Sequence, residues 1–337
     1  MTKWTIRDIA KLAGVSPGTV SKVINQTGSL SPKTIEKVKK IIDETGYQPS
    51  FSAKALATKK TNMIGLIYAG EIHVEFAHPF FNQVINAFKN TIGQLGYDLL
   101  IFSNQSFNNG KEDYVARCNH YQLDGCLIIT GEKVEGAIYD LDQSDIPTVG
   151  IDLKLTGEKS SYITTDNEKI SKLVVKYFND IGLKKIAFIG SPEDSAISGT
   201  RKQAFVEAMN QYKLETRKEW IQFGDYFEES GYERMNHILK ESSIPEAVFA
   251  VSDMMALGAM KAIKDSGLSI PEDIKVIGCD DIEACRFSEP ALATVKQDQQ
   301  KLGEAAAKIL HALMNDEDVE SSYLVEPELV IRQSATK

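Results

Sequence analysis

Apolar residues keep a helical rhythm through the first fifty positions and then change period. Val20, Val23 and Ile24, and further on Ile35, Val38 and Ile42, recur at three- and four-residue spacing, so each set marks the inner face of a short helix. The boundaries carry their own signals. Thr5-Ile6-Arg7-Asp8 reads as a capping box opening a helix that stops at Gly14. Ser16-Pro17 and Ser31-Pro32 repeat a cap followed by proline at the first helical position, and Gly46 ends the third helix. Three short helices with a tight turn between the first two predict a helix-turn-helix domain over residues 1–48.

From Met63 the pattern alternates strand-length apolar runs with amphipathic helical periods. MIGLIYA, YDLLIFS, DGCLIIT and IPTVGID form one series, and KIAFIG, WIQFG, AVFAVS and IKVIGCD a second. FFNQVINAFKNTIGQLG and DMMALGAMKAIKDSG read as helices between them. Such alternation predicts two Rossmann-like α/β lobes with parallel sheets, over residues 61–337, and ligands bind beyond the carboxyl ends of such strands. LATVKQD and SSYLVEPELVIRQS are expected to return to the lobes as extra strands. Residues 49–60 break the helical domain at Pro49 and offer a short small-residue helix around Ala53, Ala55, Leu56 and Ala57, read as a hinge or linker.

Charge separates the two parts. Residues 1–60 hold 11 Lys and Arg against 4 Asp and Glu, a net +7, which leaves −16 on the remainder of a chain whose total is −9. A basic head on an acidic body points to a polyanionic partner for the head alone. The second helix shows Gly18, Ser21, Lys22 and Asn25 on its outer face, a small polar surface with one long cation that suits a DNA major groove. Ser16, Thr19, Ser21, Asn25 and Thr34 are candidate phosphate contacts, with Thr5 and Ser31 at the starts of their helices counted beside them. Lys22 can reach guanine O6 and N7. Leu56 can act as a minor-groove wedge, with Ala53 allowing close backbone approach.

Candidate chemistry in the body lies at strand ends: Asp152, Arg201, Asp225-Tyr226, Ser252-Asp253 and Asp280-Asp281. Carboxylates and a guanidinium can grip adjacent hydroxyls of a sugar while an aromatic face covers its apolar side. Taken singly, Asp253 and Asp281 read first as helix caps. No nucleotide-binding glycine loop, nucleophile elbow or H-E-x-x-H motif is present, which argues against an enzyme. The five histidines and four cysteines lack metal-ligand spacing, so no metal or cofactor is expected, and the thiols read as reduced and structural. No apolar leader or membrane-length run appears, and a cytoplasmic protein without a membrane partner is expected.

TIRDIAKLAGVSPGTVSKVIN, the Tyr47–Pro49 Y-x-P, AKALATKKTNMIG, SDMMALGAMKAIKDSGLSIPEDIKVIGCDD and LATVKQD together resemble the lactose/galactose-repressor family over almost the whole chain. The resemblance implies a two-lobed, periplasmic-binding-protein-like body and a transcriptional repressor controlled by a small effector, a sugar by this reading. It places Pro17, Gly18 and Lys22 at base-reading positions and makes the Leu56 segment a hinge helix. Phe80, Phe81, Asp152, Arg201, Tyr226, Ser252 and Asp280 become effector contacts. Pro17 and Gly18 lack side-chain hydrogen bonds, Lys22 stands where Arg is frequent, and Ser252 where sugar-sensing relatives often have Asn. A homodimer on a pseudo-palindromic operator is expected, since the chain stops after VIRQSATK without a heptad tail. Corepressed or partner-assisted control, as in the catabolite-control branch, is the alternative, but Lys308 and Ala312 supply only half of that branch's basic pair. A cytoplasmic sugar-binding protein is the remaining rival.

Overall fold

The computed structural model describes residues 4–48, 60–69, 78–103, 112–130, 136–192 and 195–336. The chain divides into two compact units, Met1–Met63 with Tyr121–Asp124, and Ile64–His120 with Gly125–Lys337.

The first unit contains α1 (Ile6–Ala13), α2 (Pro17–Ile24) and α3 (Pro32–Thr45). The caps expected from the sequence form. Thr5 and Asp8 make a reciprocal capping box, while Ser16 Oγ accepts from Thr19 N at 3.1 Å and Ser31 Oγ from Thr34 N at 3.2 Å. α1 and α3 end at Gly14 and Gly46 in the left-handed conformation. Ile9, Ala10, Ala13, Val20, Val23, Val38 and Tyr47 make the core that holds the three helices together. At its far end, Asp124 accepts the backbone N–H groups of Thr61 and Asn62, which fixes the chain as it leaves this unit. The hinge positions Ala53 and Leu56 lie outside the described residues.

The second unit has two lobes. The first runs β1 (Met63–Ala69), α4 (Pro79–Gln94), β2 (Asp98–Ile101), α5 (Tyr114–Tyr121), β3 (Gly125–Thr130), α6 (Gly136–Asp142), β4 (Thr148–Ile151) and β5 (Ser160–Thr165). The second runs α7 (Asn167–Asp180), β6 (Ile186–Gly190), α8 (Ala196–Gln211), β7 (Ile221–Phe223), α9 (Glu228–Leu239), β8 (Ala247–Ala250), α10 (Asp253–Asp265), β9 (Lys275–Asp280), α11 (Ala284–Phe287) and β10 (Ala293–Lys296). α12 (Gln299–Met314) and β11 (Ser322–Val325) return to the first lobe, and β12 (Glu328–Val330) to the second. The sheet orders are β11-β5-β4-β3-β1-β2 and β12-β10-β9-β8-β6-β7, with only the β10–β12 pairing antiparallel among the registers recorded.

The chain therefore passes between lobes three times, near Asp166, Asp298 and Glu326. The returning segments behave as the sequence predicts, each lobe receiving an extra strand. β5 was not foreseen. SSYITT has no apolar run, yet Ser160, Ser161 and Thr165 are buried beside the core residue Ile163, and Ser161 Oγ donates to Glu320 O at 2.8 Å, so hydrogen bonds supplement a single apolar contact on that strand. Ile64, Leu66, Leu127, Ile129, Val149 and Ile151 form the first lobe's core with α4 and α12, and Phe188, Phe205 and Phe249 anchor the second. Each such buried side chain contributes roughly 1.5–3 kcal/mol by leaving water. All four cysteines are buried and free.

Candidate functional site

In the first unit α2 presents Pro17, Gly18 and Lys22 fully to solvent, with Thr19, Ser21 and Asn25 half-buried beside them. Backbone geometry explains the shape of this face. Proline at the first turn and Val20 and Val23 inside leave only small side chains outside, so the helix can enter a groove without obstruction. The hydroxyls are partly committed. Ser16 and Thr19 pair at 3.0 Å, Ser31 and Thr34 at 2.8 Å, and Asn25 Nδ2 donates to Ser21 Oγ at 3.3 Å. Thr5 Oγ1 donates to Asp8 Oδ2 at 2.6 Å. That bond is part of the capping box of α1.

In the second unit, the strand-end residues converge at the crossovers. Arg201, 3% exposed, donates from Nε to Asn167 Oδ1 (2.7 Å), from Nη1 to Val251 O (2.8 Å) and from Nη2 to Gln297 Oε1 (3.2 Å). Gln297 Nε2 donates in turn to Asp280 Oδ1 at 2.7 Å. On the other side Asn167 Nδ2 donates to Thr164 Oγ1 at 3.1 Å, which donates to Asp152 Oδ1 at 2.5 Å. One hydrogen-bonded chain thus runs from Asp152 in the first lobe to Asp280 in the second, through two of the three crossovers. Asn167 and Gln297 are the members that the sequence reading missed; as amides beside crossovers they carry no spacing signal of their own.

The electrostatics follow from burial. Burial opposes the Arg201 charge, but Cys279, Asp280, Tyr226 and Asp152 around it outweigh that and hold its pKa above the ordinary value. Burial pushes the Asp152 carboxyl up despite its Thr164 bond and Arg201. Asp280 is pushed well up by burial and by Asp253, against Arg201 and Gln297. Its Oδ2 is buried without a hydrogen-bond partner. Burial also raises Asp253 to about 6.

Phe80 packs in the core of the first lobe, while Phe81 beside it is half-buried. Asp253 is no cap: it accepts from Thr294 Oγ1 at 2.6 Å and Ile282 N at 3.0 Å, tying β8 to the β9–β10 connection. Ser252 caps α10 instead, accepting from Met255 N at 3.1 Å and donating to Tyr226 O at 2.7 Å, which commits its hydroxyl proton. Asp281 pairs with Arg332 and caps nothing. Tyr226 itself sits in a left-handed conformation (φ 75°), its hydroxyl 3.4 Å from Ser195 Oγ. Its ring meets His78, which also faces Phe81 and Phe227. The sequence reading had noted His78 only as a histidine without metal-ligand spacing.

Comparison with known proteins agrees with this geometry. Residues 5–50 match the bacterial regulatory proteins of the lacI family, and residues 175–335 match a periplasmic binding protein-like domain. The chain is 34% identical over 332 residues to the HTH-type transcriptional repressor PurR of Pasteurella multocida (strain Pm70), covering 98% of both. It is 34% identical over 337 residues to the repressor of the same name from Haemophilus influenzae (strain PittEE), again over 98% of both. Among solved structures, the lac repressor dimer bound to operator and the anti-inducer ONPF superposes with a TM-score of 0.85 at 27% identity over 100% of each chain. A complex of the transcriptional regulator CelR with cellobiose gives 0.72 at 28% identity, covering 98% of this chain and 100% of that one. The helix-turn-helix head and two-lobed body are thus those of a DNA-binding transcriptional repressor under small-molecule control, not an enzyme, and the chain belongs to the lacI family of bacterial regulatory proteins.

Proposed function

We propose that this repressor acts as a cytoplasmic homodimer on a pseudo-palindromic operator and is released from it by a sugar. The domains divide at 1–48, 49–60 and 61–337, with the middle segment as a DNA-ordered hinge in which Ala53 and Leu56 meet the minor groove. Lys22 reads a base in each half-site. Ser16, Thr19, Ser21, Asn25, Ser31 and Thr34 fix the register on phosphates. A cytoplasmic location fits the absence, among the described residues, of any helix long and apolar enough to cross a membrane.

The observation that carries the sugar reading is Asp280 Oδ2, a buried acceptor with no donor, at the end of the network from Asp152. An unpaired buried carboxyl oxygen is costly, and a ligand hydroxyl, which can donate or accept, removes that cost. Arg201 keeps two of its five N–H groups clear of the three bonds described above, and Phe81 and Tyr226 supply aromatic faces for the apolar side of a pyranose. The cellobiose complex of CelR is a sugar-bound relative of the same architecture. A thermal-shift screen of sugars and nucleobases, followed by operator binding with and without each hit, tests the reading. Release by a sugar supports it. Binding confined to nucleobases overturns the sugar class, and tightened operator binding makes the ligand a corepressor.

A further inference from the structure

Two buried cysteines of the first lobe touch. Cys118 lies in the last turn of α5 and Cys126 near the start of β3, and their sulfurs stand 3.1 Å apart. Both are free thiols. A disulfide holds its sulfurs at about 2.05 Å, so closing this pair asks for roughly one ångström of movement. Cys279 and Cys285 belong instead to the core of the second lobe.

The residues between the two cysteines in sequence do more than turn the chain. Gln122 and Asp124 hold the segment that leaves the helical head. Thr61 Oγ1 donates to Gln122 O at 2.6 Å, Thr61 N to Asp124 Oδ1 at 3.1 Å, and Asn62 N to Asp124 Oδ2 at 2.7 Å. Asp124 N donates back to Met63 O at 2.9 Å. Asn62 and Gln122 both have positive φ, 55° and 51°, a conformation that a β-carbon opposes and that surrounding bonds must enforce. This clasp stands immediately after the segment read as the hinge. Cys118 and Cys126 flank its loop, so a bond between them alters the clasp from both ends.

We propose that Cys118 and Cys126 are an oxidation site, closed by hydrogen peroxide into an intrachain disulfide that disturbs the hold on Thr61 and Asn62 and weakens operator binding. Contact with Cys118, and then burial, push the Cys126 thiol up, so Cys126 keeps its proton and Cys118 is oxidised first. The Cys118 thiolate attacks one peroxide oxygen and the O–O bond breaks. The departing hydroxide takes the Cys118 proton, leaving a sulfenic acid and water. Cys126 Sγ then attacks the Cys118 sulfur, the S–O bond breaks, and the Cys126 proton leaves with that hydroxide as a second water. Two thiols are oxidised and one peroxide is reduced, with one disulfide and two waters as products. Peroxide is neutral and scarcely larger than water, so it reaches the pair when the two-turn helix α5 frays. The same burial makes the step slow and keeps bulky disulfide oxidants out.

The test uses the full-length protein, reduced and then treated with hydrogen peroxide, with a DNA site selected from random sequence on the reduced protein. Peptide mass mapping of the wild type should show a link between Cys118 and Cys126, lost again on adding dithiothreitol. Cys279 and Cys285 should remain open to alkylation after unfolding. Operator affinity should fall about fivefold or more on oxidation and recover on reduction. Cys118→Ala and Cys126→Ala should each abolish the peroxide response, with circular dichroism verifying that they fold. The mapping and its reversal on the wild type decide the oxidation site even where a variant does not fold. Cys118 and Cys126 still free under peroxide would overturn the site. A complete disulfide with unchanged operator affinity would overturn its control of DNA binding, and so would an equal loss in the double alanine variant. Each of these outcomes leaves the sugar reading untouched.

Discussion

Lys22 lies with its aliphatic stem over Gly28, whose missing Cβ would stand 3.4 Å from Lys22 Cδ. Gly28 has φ +75°, a conformation that costs an L-residue about 1 kcal/mol. Gly28→Ala should therefore lower the stability of the helical unit by about that amount and displace the Lys22 side chain. Thermal unfolding reads the first effect and operator binding the second. Lys22→Ala should cost about 1–3 kcal/mol on the specific operator and much less on random DNA, read by competition binding. Equal losses on both would make Lys22 a phosphate contact only. His78 carries a pH dependence of defined sign. Burial holds its pKa at about 4, below the ordinary 6.5. A base with a lowered folded pKa destabilises the native state as pH falls from 6.5 towards 4, because the opened chain takes up the proton first; the loss reaches about 3 kcal/mol at the acid end. Asp253, raised to about 6 by burial, works the other way: its contribution is present at low pH and fades as pH rises from about 4 to 6. Unfolding curves of wild type and His78→Leu across this range separate the two, and the variant should lose the His78 limb alone.

At the scale of elements, the caps of α2 and α3 are the most local part of the fold. Ser16→Ala and Ser31→Ala should each cost about 1 kcal/mol and add nearly independently, which denaturant titration of the single and double variants measures. Caps of this kind are legible in a sequence because they depend on residues three apart. The same holds for the buried strands, whose apolar runs announce themselves. Legibility ends where the environment decides. SSYITT becomes β5 where neighbouring strands pair with it, Ile163 enters the core and neighbouring backbone supplies partners for Ser160 and Ser161. In SDMM both Ser252 and Asp253 suit a cap, and only the demand for an acceptor near Ile282 and Thr294 assigns the aspartate inward. The burial of Phe80 was legible. The stripe Phe80, Val84, Phe88, Ile92 repeats every fourth residue, which points all four at the core and leaves Phe81 outside the stripe. The surroundings of His78 had no sequence signal, since two of the rings around it, Tyr226 and Phe227, come from a distant segment.

For the whole molecule, the buried chain from Asp152 through Thr164, Asn167, Arg201 and Gln297 to Asp280 makes the ligand cleft and the lobe crossovers one hydrogen-bonded assembly. Removing Arg201 would strand buried carboxylates, so Arg201→Ala should destabilise the body by about 3–5 kcal/mol and blur any reading of its binding role. Asp280→Asn is the cleaner probe: its amide oxygen can keep the Gln297 contact while the free acceptor is lost. It should bind operator normally and need about tenfold more effector for release. The head should bind DNA with a salt slope near −0.9 per phosphate neutralised. A ligand that closes the cleft can act on DNA only through its different affinity for the free and operator-bound states, and such coupling is typically worth about 1–3 kcal/mol. Coupling of this kind is reciprocal. The most direct test titrates the effector into free protein and into protein saturated with operator, with the converse operator titration alongside. The account predicts that operator weakens effector binding by the same factor by which saturating effector weakens operator binding. Equal effector affinities with and without operator would contradict it.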